Sequence, residues 1–276
     1  MSLVGAGEVL AARGDGGCGA FNVIGIEHLT GIVAGATAAG QPVILQLSQN
    51  AVRYHGALAP IGSAMLAAAR AAEVEVAVHL DHAESPELVR EAVELGFGSV
   101  MFDGSALDYP ENVRATREMV AHCHGRGVWV EAELGEVGGK DGVHAPGART
   151  DPAEAAAFVE ATGVDALAVA VGSSHAMLTR DAALDFGLIA ELRAAVPVPL
   201  VLHGSSGVAD EHLAAAVRAG MAKINIATQL NKEFTAGMRA FLTDRPGTVD
   251  PRKYLGAGRD HLAAEVTRLL TLLAAP

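Results

Sequence analysis

The sequence predicts one α/β domain, spanning residues 1–276, that folds as a (β/α)8 TIM barrel. Eight short runs are nearly continuous in Val, Ile, Leu and Ala, as expected of strands that are buried on both faces. Segments with helical patterning separate these runs, and polar residues collect where the runs end. An open doubly wound sheet would need fewer strands or a Gly-rich first turn, so the pattern favours a closed barrel.

The predicted strands and helices alternate along the chain. The strands are GAFNV (19–23), VILQLS (43–48), VAVHLD (76–81), SVMFD (99–103), VWVEAEL (128–134), ALAVAVG (166–172), PLVLHG (199–204) and KINIAT (223–228). The helices lie near 26–39, 61–73, 86–95, 111–125, 152–162, 185–194, 210–219 and 230–242, with a first helix in 1–17.

Residues with known preferences at helix ends support several of these boundaries. Ser85 precedes Pro86 and Asp151 precedes Pro152, which is the order typical of an N-cap followed by proline in the first turn. Gly96 and Gly220 follow predicted helix ends, where glycine is common.

Charge and composition exclude several classes of partner. The chain has 20 basic and 32 acidic residues, a formal net charge of −12, which argues against nonspecific binding to nucleic acid or anionic membrane. No apolar run approaches the ~18–20 residues of a membrane-spanning helix. The N-terminus lacks a basic region before its short apolar stretch, and Cys18 and Cys123 are expected to be reduced, so we expect a cytoplasmic protein.

Three histidines end apolar runs and predict a metal site. They are His82 in HLDH (79–82), His175 in VGSSH (171–175) and His203 in LVLHG (200–204). Active sites of this fold lie at the carboxyl ends of the strands, so these side chains are expected to meet. A catalytic zinc typically has three protein ligands and one open position, and imidazole is a good zinc ligand.

Acidic residues beside these histidines predict proton transfer. Asp81 precedes His82 and is expected to exchange a proton with a substrate hydroxyl. Glu133 is expected to reach the metal or a substrate hydroxyl, whereas Glu131 is expected to pair inside the barrel, since a buried acid without a partner is costly. His79 shares the strand face of Asp81, but its deeper position favours a packing role.

Two loops predict an anion site. HGSSG (203–207) offers successive backbone N–H groups and two hydroxyls, and NIAT (225–228) adds an amide and a hydroxyl before a helix. The loops after strands seven and eight often bind phosphate in this fold.

Taken together, these motifs resemble the class II, zinc-dependent ketose-bisphosphate aldolases, the family of fructose- and tagatose-bisphosphate aldolases. The resemblance runs from GAFNV (19–23) to PRKYLGAGR (251–259). It includes AFNV, HLDH, EAELGEVGG, TDPAEAAAFVEATGVDALAVAVG, LVLHGSSG and KINIAT. It implies a lyase that cleaves a phosphorylated ketose reversibly to dihydroxyacetone phosphate and an aldehyde.

The resemblance also implies residue roles, assigned by matching motifs. His82, His175 and His203 would bind Zn²⁺, Glu133 would lie near an alternative metal position, and Asp81 would handle the C4 hydroxyl proton. Substrate or phosphate contacts are implied for Asn22, Ser48, Gly204, Ser206, Asn225, Thr228 and Arg252. In relatives, the matching arginine reaches the distal phosphate from a neighbouring subunit, which implies a homodimer or homotetramer. The family is also commonly assisted by a monovalent cation, Na⁺ or K⁺.

Two segments depart from the family pattern. Ala176 follows His175 where relatives usually have glycine, which places a methyl group near the phosphate or cation. Residues 135–150 are rich in Gly and are predicted to form a mobile lid, but they are shorter than usual. Asp141 is the nearest counterpart of the family's mobile glutamate, which removes the proton from C3 of dihydroxyacetone phosphate.

Three other functions remain open at this point. A Schiff-base aldolase would need a lysine in the site, and the chain has only Lys140, Lys223, Lys232 and Lys253, of which Lys223 is expected to open its strand at the opposite end of the barrel. A zinc-dependent hydrolase could use similar ligands, although such barrels tend to have a His-x-His pair on the first strand. A sugar-phosphate sensor could retain the pocket without turnover.

Overall fold

A computed structural model describes residues 2–134, 149–175 and 177–274 of the chain. Eight parallel strands form a closed barrel in the order β1-β2-β3-β4-β5-β6-β7-β8, with β1 paired to both β2 and β8. Helices alternate with the strands around this barrel. The predicted single-domain (β/α)8 fold is confirmed.

The strands are β1 (Cys18–Asn22), β2 (Val43–Ser48), β3 (Val76–Ala83), β4 (Ser99–Phe102), β5 (Trp129–Leu134), β6 (Ala166–Val169), β7 (Leu200–Leu202) and β8 (Met221–Ile226). The helices are α1 (Ala6–Ala12), α2 (Ile26–Ala39), α3 (Gln49–His55), α4 (Leu58–Ala71), α5 (Pro86–Leu95), α6 (Tyr109–His124), α7 (Pro152–Thr162), α8 (Phe186–Ala195), α9 (Asp210–Ala219), α10 (Thr228–Asp244) and α11 (Pro251–Ala274).

The helix-end predictions have clear physical support. The Ser85 hydroxyl accepts a hydrogen bond from the Leu88 N–H at 3.2 Å, and an Asp151 carboxylate oxygen accepts from the Ala153 N–H at 2.8 Å. Gly96 adopts a left-handed conformation, with φ +101°, immediately after α5. These contacts satisfy backbone groups that have no partner within the helix.

Several boundaries and two helices differ from the sequence prediction. β3 continues to Ala83 through an irregular register with β4, and β8 begins at Met221, which carries Lys223 into the barrel interior. The sequence prediction missed α3 and α11. α11 packs along α2, where Gly35 has no side chain, and an added Cβ would lie 2.6 Å from the Ala263 carbonyl oxygen.

The amino-terminal end of the barrel is closed by α1. Ala6, Val9 and Leu10 of this helix are buried in one apolar cluster with residues of β1, β2, β3 and β8. Leu3 extends this closure by forming a parallel bridge with Val76 of β3. The opposite, carboxyl end is therefore the end at which the barrel opens into a pocket.

The cysteines and the lengths of the helices bear on two of the predictions. Cys18 and Cys123 are buried free thiols. Among the helices of the described residues, none combines the length and apolar character needed to cross a membrane.

Candidate active site

A cavity of about 250 Å³ opens at the carboxyl ends of the strands. Most residues predicted to act on the substrate or metal line it: Asn22, Ser48, Asp81, His82, His175, Gly204, Ser206, Asn225 and Thr228. His203 and Glu133 are fully buried beside it. The barrel therefore brings together residues that are up to 206 positions apart in the sequence.

The three predicted metal ligands converge. The ring centroids of His82 and His203 lie 4.6 Å apart, those of His82 and His175 5.1 Å, and those of His175 and His203 5.6 Å. One nitrogen from each ring lies within 4.8 Å of the others, a spacing that a single metal ion could bridge. A second group of the same spacing comprises His82, Asp103 and Glu133.

The backbone at His82 is unusual and directs its side chain. His82 has φ +49°, the single positive φ among the described non-glycine residues. It lies where the pairing of β3 with β4 shifts register, between Leu80 and Ala83. Such left-handed residues and bulges are costly in a strand, and they are found where a side chain must be turned toward a site.

Asp103 fixes the orientation of the His82 ring. One of its carboxylate oxygens lies 2.9 Å from His82 Nδ1, and the other accepts a hydrogen bond from the Ser105 hydroxyl at 2.6 Å. The remaining His82 nitrogen, Nε2, is thereby presented to the cluster. Carboxylates that hold metal-binding histidines in this way are common in metal sites.

His203 is oriented in a similar way by a different acid. Its Nε2 lies 3.0 Å from a carboxylate oxygen of Glu131, and its Nδ1 lies 3.2 Å from Glu133 Oε2. This Nδ1 is buried and makes no hydrogen bond of good geometry within the described chain. Burial lowers the pKa of His203, but Glu131 and Glu133 raise it to about 9.

The donor set fits a divalent metal ion. A buried imidazole nitrogen without a hydrogen bond is costly, and a metal would satisfy it. Three imidazoles with a nearby carboxylate are typical ligands of zinc in catalytic sites. His82, His175 and His203 are therefore the residues that could hold the metal, with Glu133 close enough to contribute.

The loop that carries His175 depends on a glycine in the next loop. Gly204 has φ +67°, and a Cβ added there would lie 2.6 Å from the carbonyl carbon and oxygen of Ser174. The same two loops are tied by a hydrogen bond from the Ala182 N–H to the Gly207 carbonyl at 3.0 Å. Gly204 thus allows the loops that bear His175 and His203 to approach closely.

Asp81 is held in the pocket by the side-chain amides of Asn22 and Gln46, which are hydrogen-bonded in series. Asn22 donates to Asp81 Oδ2 at 2.9 Å, and Gln46 donates to the Asn22 side-chain oxygen at 3.2 Å. Burial raises the pKa of Asp81, but the charges of His82, His203, Lys223 and His79 lower it below its ordinary value. The carboxylate is therefore ionised, and its Oδ1 accepts no hydrogen bond from any described residue.

The predicted phosphate residues form one wall of the cavity. The Ser206 hydroxyl oxygen accepts from the backbone N–H groups of Ala227 and Gln229, at 3.3 and 3.1 Å, which connects the β7 loop to the start of α10. Asn225 is buried, and neither amide atom of its side chain hydrogen-bonds to the described residues. A buried amide in this state points to a ligand.

Ser48 lines another part of the cavity and also has a structural role. Its hydroxyl oxygen caps α3 by accepting from the Ala51 N–H at 3.1 Å. The same part of the cavity contains Gln49, whose side-chain amide donates to Glu84 at 3.1 Å, and Arg53, which lies 3.7 Å from that carboxylate. Gln49, Arg53 and Glu84 were not among the predicted site residues.

Arg252 is the predicted residue that the described structure places away from the cavity. Arg252 lies at the start of α11, where its guanidinium is 89 % exposed and pairs with Asp250 at 2.9 Å. Asp141 and the predicted lid up to residue 148 lie outside the described residues, as does Ala176. Gln46 was missed as a functional residue, and Asp103 was expected at a strand end but without a role, because both roles depend on partners in neighbouring strands.

Comparison with known proteins decides the family. The family described as fructose-bisphosphate aldolase, class II, matches residues 9–275. The chain belongs to this family. It is 40% identical over 272 residues to a fructose-bisphosphate aldolase of Geobacillus stearothermophilus, covering 96% of this chain and 95% of the relative. The protein is accordingly a lyase of the aldolase type.

Solved structures agree with this assignment. The crystal structure of the YdjI aldolase from Escherichia coli K12 has a TM-score of 0.88 and 33% identity, and the match covers 98% of this chain and 97% of that one. A fructose-bisphosphate aldolase from Campylobacter jejuni has a TM-score of 0.82 with coverage of 99% and 96%. At 21% identity, this second match supports the fold of the aldolase and nothing finer.

Proposed function

We propose that this aldolase cleaves a phosphorylated ketose, of the fructose 1,6-bisphosphate or tagatose 1,6-bisphosphate type, reversibly to dihydroxyacetone phosphate and an aldehyde, with Zn²⁺ as cofactor. The observation that carries the proposal is the convergence of three imidazoles beside an ionised, buried Asp81. This combination provides a metal site and a proton acceptor in one pocket.

The metal would be held by His82, His175 and His203, with Glu133 as a nearby acid. Bound there, Zn²⁺ would supply Lewis-acid stabilisation of the negative charge that develops when the carbon–carbon bond breaks. Asp103 and Glu131 orient two of the three rings, so the site is preorganised.

Asp81 would take the proton of the C4 hydroxyl. As the C3–C4 bond breaks, its electron pair remains with C3, and the C4–O–H group becomes the aldehyde carbonyl by giving its proton to the carboxylate. Asn22 holds one Asp81 oxygen, which leaves Oδ1 to receive that proton. To give dihydroxyacetone phosphate, C3 must then gain a proton, and in the reverse direction the same group must remove that proton; we propose Asp141 for this role.

The other pocket residues would bind the sugar phosphate. Gly204, Ser206 and Thr228 provide backbone and hydroxyl donors for the phosphate of the dihydroxyacetone half, and Asn225 would hydrogen-bond the ketose chain. Ser48, which also lines the cavity, would contact the sugar. We further propose a monovalent cation, Na⁺ or K⁺, beside the phosphate.

A lysine imine is poorly supported as an alternative mechanism. Lys223 is fully buried, pairs with Glu131 at 2.6 Å and does not line the cavity, so it is not placed as a nucleophile. Lys232 donates to the Leu178 carbonyl at 3.0 Å, and Lys253 is exposed on α11. Neither lines the cavity.

The exposed Arg252 supports a proposal about assembly. Its guanidinium lies outside the cavity of its own chain, so we propose that it serves the distal phosphate of a neighbouring subunit in a homodimer or homotetramer. The negative net charge of −12 argues for a small-molecule partner and against nucleic acid or anionic membrane. Free thiols at Cys18 and Cys123 agree with a cytoplasmic setting.

A coupled cleavage assay over a panel of ketose bisphosphates and monophosphates tests the proposal. We expect release of dihydroxyacetone phosphate, loss of turnover after chelation and recovery with zinc. Borohydride with substrate should leave the enzyme active, because no imine forms. Cleavage that persists after complete metal removal, or covalent trapping by borohydride, would contradict the proposed mechanism.

A further inference from the structure

Beneath the pocket, the barrel interior contains a buried ion pair that the proposed reaction does not use. Glu131 on β5 and Lys223 on β8 are both fully buried, and Lys223 Nζ lies 2.6 Å from Glu131 Oε2. The second carboxylate oxygen, Oε1, lies 3.0 Å from His203 Nε2. One acid therefore joins a buried cation to a predicted metal ligand.

Stability alone does not account for this pair. Removing two charges from water costs several kcal/mol per ion, and replacing a buried pair by apolar side chains of similar volume is often neutral or stabilising. Apolar residues such as Ala166, Ala168 and Val201 are buried on the strands that flank the pair. The pair is better explained by its effect on the third partner, His203, whose ring Glu131 orients.

The hydrogen-bond geometry determines which His203 nitrogen faces the pocket. Glu131 is acceptor-only when ionised, so the His203 nitrogen beside it, Nε2, must carry the hydrogen. Nδ1 is the buried atom without a hydrogen bond, on the side of Glu133, and its lone pair would become available once a metal displaced any proton bound there. A metal ligand requires this lone pair.

We propose that Glu131 is a positioning residue, which holds His203 as the Nε2–H tautomer so that Nδ1 is presented to the metal, and that Lys223 balances its charge inside the barrel. This inference rests on the proposed function only in assuming that a metal binds at the histidine cluster. It does not depend on the sugar that is cleaved.

A neighbouring histidine provides the contrast. His79 Nε2 lies 3.8 Å from Glu131 Oε2, and its Nδ1 lies 2.9 Å from the Ser99 hydroxyl. It is fully buried in the same layer but lies outside both groups of possible metal ligands. Ser99→Ala therefore alters this layer without touching His203, and it serves as the matched control.

The first test separates positioning from stability. In the double variant Glu131→Leu/Lys223→Met both charges are removed, so the metal-free protein should unfold at nearly the wild-type temperature. Zinc affinity, measured by competition with a chromophoric chelator, should still fall about 10- to 100-fold, as is typical when a carboxylate behind a ligand is lost. Ser99→Ala should bind zinc like wild type. Wild-type zinc affinity in the double variant would overturn the proposal.

The second test needs no variant and applies even if the double variant does not fold. In zinc-loaded wild-type protein with ¹⁵N-labelled histidine, His203 should show a protonated Nε2 and a metal-bound Nδ1. The opposite tautomer, or a His203 without bound metal, would overturn the inference. If zinc binds as expected but no ketose is cleaved, the proposed function fails and the positioning role stands.

Discussion

Two layers of the barrel interior contain the same kinds of residues but differ in how those residues are satisfied. In the deep layer, Lys223 pairs with Glu131, and His79 bonds to Ser99. In the pocket layer, the Asp81 Oδ1 atom and both amide atoms of Asn225 are buried without a hydrogen bond inside the described chain. The difference lies in the partners rather than in the residue types.

This contrast shows why residue identity alone does not identify a site. A buried histidine or acid is costly unless it is paired. In the deep layer Lys223 and Ser99 provide such partners within the chain, although His79 Nε2 makes no hydrogen bond to the described residues. The pocket layer leaves atoms that only a ligand can satisfy. Glu131 connects the layers, because it pairs with Lys223 below and with His203 above.

The largest effect is expected from Asp81→Asn in the pocket layer. The amide keeps an oxygen that can accept from Asn22, but it cannot take the C4 hydroxyl proton. We expect kcat for ketose cleavage to fall about 10²- to 10⁴-fold, the usual range for loss of a general base. Bound zinc should remain near one ion per chain, because Asp81 is not one of the proposed ligands.

Ser99→Ala is the matched substitution in the deep layer, and it should leave kcat within a few-fold of wild type. Steady-state cleavage kinetics with measured zinc content distinguish the two variants. Near-normal turnover in Asp81→Asn would remove the proton-transfer role from this carboxylate.

A smaller effect is expected from Gly204→Ala, which acts on the backbone of the pocket layer. The new Cβ would combine a left-handed φ with a 2.6 Å contact to Ser174, so the loop bearing His175 must move. Overpacking of this kind costs about 1–3 kcal/mol, and we expect weaker zinc binding together with a lower free energy of unfolding.

Gly40→Ala is the control for backbone strain. Gly40 has φ +62° at the end of α2, and an added Cβ would meet no atom within 4 Å. It should cost about 1 kcal/mol from strain alone and leave zinc affinity unchanged. Equal zinc affinities in the two variants would show that the contact between Gly204 and Ser174 does not hold His175 in place.

The same comparison explains what could be predicted from the sequence. The strand ends and the following loops that carry His82, His175 and His203 follow from local apolar runs, so the fold and the cluster were predictable. The partners were not, because the pairings of His82 with Asp103 and of His79 with Ser99 depend on the register between β3 and β4.

Three other features depend on tertiary packing. The left-handed backbone of His82 has no sequence signal comparable to a glycine. β8 begins at Met221, so Lys223 is its third residue and lies inside the barrel. The sequence prediction began this strand at residue 223, which placed Lys223 at the strand end instead. α11 is charged along much of its surface and is stabilised by packing on α2 and α10.

An effect that leaves the pocket layer untouched concerns the deep layer and acid stability. Burial, with the charge of Lys223, lowers the pKa of His79 from 6.5 to about 3. As the pH falls, His79 is therefore protonated at a higher pH in the unfolded chain than in the folded chain. Stability is complete above about pH 6.5 and decreases toward pH 3, by up to about 1.4 kcal/mol per pH unit for one proton.

We expect metal-free His79→Gln to lose less stability than wild type between pH 6.5 and 4, as measured by urea unfolding at a series of pH values. Ser99→Ala removes the hydrogen bond but keeps the titrating ring, so it should lower stability by a similar amount across this range and retain the wild-type slope. If His79→Gln retains that slope too, the acid sensitivity of the metal-free protein arises from the pocket layer, and the two layers differ less than their hydrogen bonds indicate.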